Sequence, residues 1–217
     1  MGYFTIGGAG SGSSSSRWSG KTWNALGDSN TEDNFRADKK YLDYIATRIN
    51  CITNNYGYSG YGYLDKGDGK NVYSKIEQMD PGADLITVLA GGNDVGYVHN
   101  STIPLGNFGD SDPSQSFYGA VDHTIKMLVD KYPTKTVAAL SQVKRGEGRE
   151  ETIQSMVKAL KDVCGKYGVP VLDLYNGGNI HAYNSEYISQ CMPHGVHLND
   201  LGSELISWKI QSFIEGL

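Results

Sequence analysis

The chain has 217 residues, of which 39% are hydrophobic and 20% charged, and its formal net charge is −5. It is long enough for one substantial core and too apolar to be disordered, so we expect a single domain. The acidic balance argues against nucleic acid as a partner, and no apolar run approaches the roughly 20 residues that span a bilayer.

A run of glycine and serine near the start reads GGAGSGSSSS and occupies residues 7–16. Such a tract cannot bury enough apolar surface to offset its ordering entropy. We therefore assign residues 1–19 to a flexible N-terminal segment or linker and residues 20–217 to the folded domain. A linker here indicates a larger polypeptide or assembly as a partner, outside the cell, at a cell surface or in a phage. No secretion signal is recognised, so we expect a soluble protein.

After the linker, apolar runs typical of buried strands alternate with runs that have helical spacing. In chain order, the predicted elements are a strand (22–26), a helix (37–50), a strand (52–58), a short helix (71–78), a strand (84–90), a long polar loop (95–115), a helix (117–131), a strand (136–142), a helix (150–167), a strand (169–174) and a helix (200–215). This alternation predicts an α/β protein with three α/β/α layers and a mostly parallel central sheet. Ligands of such sheets bind outside the carboxyl ends of the strands.

Polar residues follow three of the predicted strands and precede the last helix. Ser29 lies in GDSNT, on a tight turn after the first strand, and Asn93 lies in GGNDVG, where its amide can donate to an oxyanion. Gly60 in NYGYSG offers an unobstructed backbone N–H. His197 in HGVHLNDLG precedes a helix and suits a general base. Each motif by itself also fits an ordinary turn or helix cap.

Together and in this order, the four motifs resemble the four blocks of the SGNH (GDSL-type) hydrolases, from about Trp23 to the end of the chain. The resemblance implies a flavodoxin-like α/β/α fold and a serine ester hydrolase. It implies that Ser29 is the nucleophile, that His197 is the base, and that Gly60 and Asn93 hold the oxyanion together with the Ser29 amide. It implies neither a metal nor an organic cofactor.

The chain departs from the family at position 194, where the family usually places an Asp that orients the catalytic His. Here the residue is His194, which carries no negative charge. Three interpretations stay open. His197 is held by His194 or a backbone carbonyl in a Ser-His dyad, or an acid such as Asp200 or Glu204 replaces the Asp, or the domain binds ligands without chemistry. A metal site made of His194, His197 and Asp200 is rejected, because its spacing spans a loop with a glycine.

Substrate class follows from the residues around the motifs. We place Asp28, Asp94 and Tyr58 at the substrate-binding surface, although both acids also suit a backbone-holding role. Tyrosines near the motifs and the polar loop 95–115 favour a carbohydrate or small ester with a short, acetyl-like acyl group. The alternative function is a non-catalytic or weakly active carbohydrate or cell-surface recognition domain of a larger surface or phage tail assembly. The tyrosines near the motifs, which favour a carbohydrate, are Tyr56, Tyr58, Tyr61, Tyr63 and Tyr97.

Overall fold

The computed structural model describes residues 15–146 and 148–217. Within these residues, five parallel strands form one sheet in the order β2-β1-β3-β4-β5. The first strand therefore lies inside the sheet, with later strands added on both sides, as in doubly wound folds. The strands are β1 (Thr22–Gly27), β2 (Ile52–Gly57), β3 (Leu85–Leu89), β4 (Thr136–Leu140) and β5 (Val171–Leu172).

Helices cover both faces of this sheet. The α-helices in the described part of the chain are α1 (Tyr41–Ile49), α2 (Val95–His99), α3 (Phe117–Lys131), α4 (Glu150–Lys166), α5 (Leu174–Gly177), α6 (Ser185–Cys191) and α7 (Asp200–Glu215). Successive residues of a strand point to opposite faces. In β3, Leu85 and Leu89 therefore join the core formed with α1 and α7, whereas Ile86 and Val88 join the core formed with α3 and α4. The predicted three-layer α/β/α fold with a parallel sheet is confirmed.

The strand register aligns the carboxyl ends of four strands. Gly27 of β1 is paired with Gly57 of β2 and with Leu89 of β3, and Leu89 is paired with Leu140 of β4. The segments that follow these four residues leave the sheet at the same edge. This alignment brings the motifs after β1, β2 and β3 close together, along with the residues that follow β4.

The structure differs from the sequence predictions in three short segments. The predicted loop 95–115 begins with helix α2, the predicted strand 169–174 contains only β5 before α5 starts at Leu174, and α6 was not predicted. These helices have 5, 4 and 7 residues. A helix of two turns or fewer has no apolar period long enough to be recognised in a sequence.

Two further predicted helices are shorter or tighter than expected. The helix predicted at 37–50 begins at Tyr41, because Lys40 remains extended and donates its N–H to Asp43. The helix predicted at 71–78 is a 3-10 helix over Val72–Gln78, capped by the Asn71 side chain. The remaining predicted strands and helices agree with the structure to within two residues at each end.

Trp18 ties the beginning of the described chain to the last helix. Its side chain is buried, and Nε1 donates to the Ile214 carbonyl at 2.7 Å. Trp18 packs in the same core as Ile210 and Ile214. Position 18 was assigned to the flexible segment 1–19, but its side chain is part of the fold. The part of that segment before residue 15 lies outside the described residues.

Candidate active site

A tight turn after β1 presents Ser29. The Asp28 carbonyl accepts hydrogen bonds from the backbone N–H groups of Thr31 and Glu32, and the Asp28 carboxylate accepts one from Asn30 at 2.9 Å. The turn is anchored to the sheet because Asp28 donates its N–H to the Leu89 carbonyl of β3. Ser29 is buried at this turn. Its position is therefore defined by backbone hydrogen bonds before any ligand is considered.

His197 reaches Ser29 from a segment 168 residues further along the chain, and its Nε2 lies 2.9 Å from Ser29 Oγ. The next residue, Leu198, donates its N–H to the Asn30 side chain at 3.2 Å, which ties the two segments together. Asn199 then caps the N-terminus of α7. A hydroxyl and an imidazole nitrogen at this distance can exchange a proton, which is the first requirement of a serine nucleophile.

Cationic neighbours and burial keep the His197 ring neutral. Burial is the largest cause, followed by the charges of Arg36, His194, Lys40 and Arg145, and together they lower the pKa of His197 to about 4. The ring is therefore an available proton acceptor at neutral pH. It is also a weak base, because its protonated form is disfavoured.

No acidic side chain of the described residues hydrogen-bonds to His197; its ring bonds only to Ser29 there. His194 is exposed, and its charge disfavours the imidazolium. Asp200 accepts the backbone N–H of Lys39 at 2.8 Å instead, and Glu204 is exposed on α7. Among the interpretations left open by the sequence, the geometry therefore favours a Ser29–His197 dyad.

Asn93 enters the same pocket from the loop after β3. Its Nδ2 donates one hydrogen bond to the Tyr61 carbonyl at 2.8 Å, which orients the amide. The other N–H of an amide group can serve a ligand. Gly91, two residues earlier, has a φ of 110°, a conformation that favours glycine. The backbone turn at Gly91 therefore helps to set the position of Asn93.

Asp94 lies beneath the pocket rather than on its surface. It is fully buried, and its carboxylate accepts the backbone N–H groups of Tyr63 at 2.7 Å and Leu64 at 3.4 Å. Lys66 lies 3.7 Å away. Burial raises the pKa of Asp94 to about 6, against the opposing effect of Lys66. The structure thus gives Asp94 the backbone-holding role instead of contact with substrate.

Asp28 is similarly buried, although it lines the pocket. Burial raises its pKa to about 6, while the Asn30 N–H and the Arg145 charge act in the opposite direction. Its carboxylate is engaged with the Asn30 backbone at the Ser29 turn. Asp28 therefore shapes this turn and adds an ionisable group beside the nucleophile.

Gly60 and Tyr58 lie on the β2 side of Ser29. Gly60 has a φ of 81° within a turn closed by the Tyr61 N–H and the Tyr58 carbonyl, and it is not among the residues that line the pocket. The Tyr58 ring packs 5.1 Å from the Tyr61 ring, with Lys75 above it. Two other tyrosines expected near the site lie elsewhere. Tyr63 is in the core, and the Tyr56 hydroxyl accepts the Asp80 N–H.

The pocket that contains Ser29 and His197 is small, with a volume of about 70 Å³. Gln142 and Arg145, which follow β4, form part of its wall and were missed in the sequence. Gln142 is the last residue of the predicted strand 136–142 and Arg145 follows shortly after it, so the strand-end rule that located Ser29 could have found them. The pocket is lined by Asp28, Ser29, Asn30, Gly92, Asn93, Gln142, Val143, Arg145, Val196 and His197.

A second, open pocket of about 260 Å³ adjoins Asn93. It is formed by α2 and the residues after it, and Tyr97 is its exposed aromatic side chain. The remaining lining residues are polar or glycine, namely Asn93, Gly96, Asn100 and Thr102. The amide of Asn93 thus faces both a small pocket and a larger polar one.

Two properties of the described residues concern metal binding and membrane insertion. No group of three or more His, Cys, Asp or Glu in residues 15–146 and 148–217 is arranged to hold a metal ion. In the same residues, no helix combines the length and hydropathy needed to cross a membrane.

The chain is similar to several proteins of known structure. No curated protein matches it. Among solved structures, a Lactobacillus plantarum protein is 27% identical, with a TM-score of 0.81, over 91% of this chain and 98% of that one. A member of the lipolytic protein G-D-S-L family from Veillonella parvula is 19% identical, with a TM-score of 0.64 over 90% and 99%. The lipase/acylhydrolase from Enterococcus faecalis is 18% identical, with a TM-score of 0.60 over 90% and 96%.

A family model makes the assignment specific. The model of the GDSL-like lipase/acylhydrolase family matches residues 25–205, which include Ser29, Asn93 and His197. The match extends over most of the chain, and the parallel sheet order agrees with it. The chain therefore belongs to the GDSL-like lipase/acylhydrolase family and is a carboxylic ester hydrolase.

Proposed function

We propose that this protein hydrolyses short-chain esters of carbohydrates or similar polar alcohols through an acyl-enzyme on Ser29. The observation that carries the proposal is the 2.9 Å contact between Ser29 Oγ and His197 Nε2 in a buried pocket. The family supports ester hydrolysis in general. The residue roles and the substrate class are inferred from the site.

In the proposed mechanism, His197 removes the hydroxyl proton as Ser29 Oγ attacks the ester carbonyl. The tetrahedral oxyanion accepts hydrogen bonds from the Ser29 N–H and the Asn93 Nδ2, since both residues line the pocket. His197 then gives its proton to the departing alcohol. In the second half-reaction, it takes a proton from water, whose oxygen attacks the acyl carbonyl. The bond from the acyl carbon to Ser29 Oγ then breaks, His197 returns the proton to Ser29 Oγ, and the acid is released.

The expected rate depends on His197 having no acidic hydrogen-bond partner among the described residues. The imidazolium that forms in each half-reaction has cationic neighbours, Arg36, His194, Lys40 and Arg145, and burial also disfavours it. An orienting Asp supplies a large factor in serine hydrolases, but dyads retain catalysis from the oxyanion hole and from binding. We therefore expect slow but measurable turnover.

Pocket sizes support a short acyl group and a polar alcohol. The pocket beside Ser29 has a volume of about 70 Å³, less than half of the roughly 150 Å³ of a cavity that binds benzene, which favours a short acyl group over a long one. The open pocket beyond Asn93 presents Tyr97 with amide and hydroxyl side chains, which suits a sugar ring.

The test is release of acid from p-nitrophenyl acetate, p-nitrophenyl decanoate and an acetylated oligosaccharide. Ser29→Ala should abolish turnover, whereas Ser155→Ala, a matched change on the exposed face of α4, should not alter it. We expect acetyl esters to be preferred. A preference for decanoate would refute the short-acyl assignment, and turnover that survives Ser29→Ala would refute the nucleophile.

The second candidate is a carbohydrate or cell-surface recognition domain with little or no activity. The observation that favours it is that, within residues 15–146 and 148–217, no acidic side chain hydrogen-bonds to His197. It predicts equal glycan binding by the wild type and Ser29→Ala, and no Ser29-dependent hydrolysis of any ester. Isothermal titration with the oligosaccharide, run beside the rate assay, separates the two functions.

A further inference from the structure

The segment after β4 contributes two side chains to the Ser29 pocket that the mechanism above does not use. They are Gln142, which is 4% exposed, and Arg145, which is half-buried. Both line the pocket together with Ser29 and His197. They lie on the β4 side of the reacting atoms, opposite the β2 side where Gly60 is found.

Gln142 has a buried donor without an acceptor. Its Nε2 makes no hydrogen bond within the described residues. Its Oε1 lies against Gly91, 3.0 Å from the place where a Cβ would stand. An unpartnered buried N–H is unfavourable for folding, so its presence in the wall of a pocket points to an acceptor that arrives with a ligand.

Arg145 adds positive charge to the same wall. One of its Nη atoms donates to the Gly92 carbonyl, which holds the guanidinium beside the loop that carries Asn93. The Asp28 carboxylate lines the same pocket. The charges of Arg36, Lys40 and Arg145 act on His197. Positively charged side chains therefore lie near the reacting atoms in a chain whose net charge is −5.

A buried amide donor and a guanidinium together recognise oxygen acceptors with negative charge, and a carboxylate fits both. We propose that Gln142 and Arg145 bind a carboxylate of the substrate, so that the preferred substrate is an ester with a carboxylate close to the scissile carbonyl. This inference rests on the ester hydrolysis proposed above. Because the pocket holds about 70 Å³, the group that enters it must be small.

The carboxylate can belong to the acid or to the alcohol part of the ester, and two matched substrate pairs distinguish these sources. Monoethyl succinate and ethyl succinamate differ only by a carboxylate or an amide on the acid part. The compounds p-acetoxybenzoate and p-acetoxybenzamide differ in the same way on the alcohol part. Initial rates measured in a pH-stat give kcat/KM for each of the four compounds. Each value is then divided by the rate of hydroxide-catalysed hydrolysis of the same compound.

We expect the wild type to prefer the carboxylate member of one pair by on the order of tenfold, the size of a charged hydrogen bond. Gln142→Met and Arg145→Gln should each reduce this preference towards one. Lys144→Gln is the matched control, because Lys144 lies over the Tyr175 ring and does not line the pocket. Gln142→Met should also leave the melting temperature unchanged, since it removes an unpartnered buried N–H group. A lower melting temperature would indicate that Gln142 has a structural role.

The outcomes separate this inference from the function on which it rests. Ser29-dependent hydrolysis of the two esters that carry an amide, without a preference for the matching carboxylate esters, overturns the inference alone. A preference that persists in both pocket variants, or that Lys144→Gln also removes, overturns it as well. No Ser29-dependent hydrolysis of any of the four esters overturns the proposed function itself.

Discussion

The acid limb of the pH–rate profile is the most direct consequence of the His197 environment. Neutral imidazole is the base, so activity is lost as the pH falls through the pKa of His197, and a lowered pKa moves this loss to lower pH. Burial and the neighbouring cations lower that pKa from 6.5 to about 4. We therefore expect kcat/KM for p-nitrophenyl acetate to change little between about pH 8 and about pH 5.5.

The size of the effect follows from the fraction of neutral ring. With a pKa of about 4, about 97% of His197 is neutral at about pH 5.5. An ordinary His with a pKa of about 6.5 would be only about 9% neutral there, so the share of plateau activity kept at about pH 5.5 is about tenfold higher than for an unperturbed ring. The profile should fall to half its plateau near pH 4.

Two controls keep the assay interpretable. Asp28, whose pKa is raised to about 6, titrates within the same range, and the profile of Asp28→Asn identifies any inflection that it causes. Activity at about pH 8 after incubation at each lower pH excludes irreversible unfolding. A wild-type profile with its midpoint close to 6.5, retained in Asp28→Asn, would refute the effect that we assign to burial and the cations around His197.

Further predictions concern the dyad, the oxyanion donor and two buried anchors. His194→Asp should raise kcat and move the acid limb to higher pH, because it places an anion near His197. Asn93→Ala should lower kcat on the order of 10²-fold, in steady-state assays, with a smaller effect on the melting temperature. Trp18→Ala should cost about 3–5 kcal/mol in urea unfolding. Asp94→Ala leaves Lys66 without its partner and should cost about 3–5 kcal/mol in the same assay.

Specific results would contradict the predictions for His194, Asn93 and Trp18. For the dyad, the control is His181→Asp, which makes the same change at an exposed position away from the pocket. Equal rates for His194→Asp and wild type would mean that another group already orients His197. An Asn93→Ala enzyme with wild-type kcat would remove Asn93 from the oxyanion hole. A Trp18→Ala protein as stable as wild type would place residue 18 outside the cooperative fold, against its hydrogen bond to Ile214.

The free energy of unfolding should also depend on pH around the site. The lowered pKa of His197 means that the unfolded chain binds its proton first, so this residue destabilises the fold as the pH falls from about 6.5 towards 4. Asp28 and Asp94 act in the opposite direction, because their raised pKa values favour proton binding by the folded state below about pH 6. In urea unfolding across this range, Asp94→Asn should lose the contribution of Asp94 to the pH dependence and keep that of Asp28.

Several features were predictable because they depend on neighbouring residues along the chain. The apolar periods of β1, β3 and α7 and the polar turns after the strands are local patterns, so the α/β/α fold and the positions of Ser29 and Asn93 follow from them. The short helices α2, α5 and α6 did not follow, because two turns or fewer carry no recognisable period. Their caps are single side chains, such as Asn184 at α6.

The sequence by itself determined the fold class and the order of the strand-end motifs, since apolar periodicity and turn chemistry are properties of short segments. Only the tertiary structure decided that Asp94 lies beneath the pocket, that Asp200 bonds to Lys39 rather than to His197, and that Gln142 lines the site. These outcomes depend on distances between side chains far apart in sequence, as with the 168 residues between Ser29 and His197. Packing of the helices on the sheet sets such distances, and with them the burial and charge that tune each group.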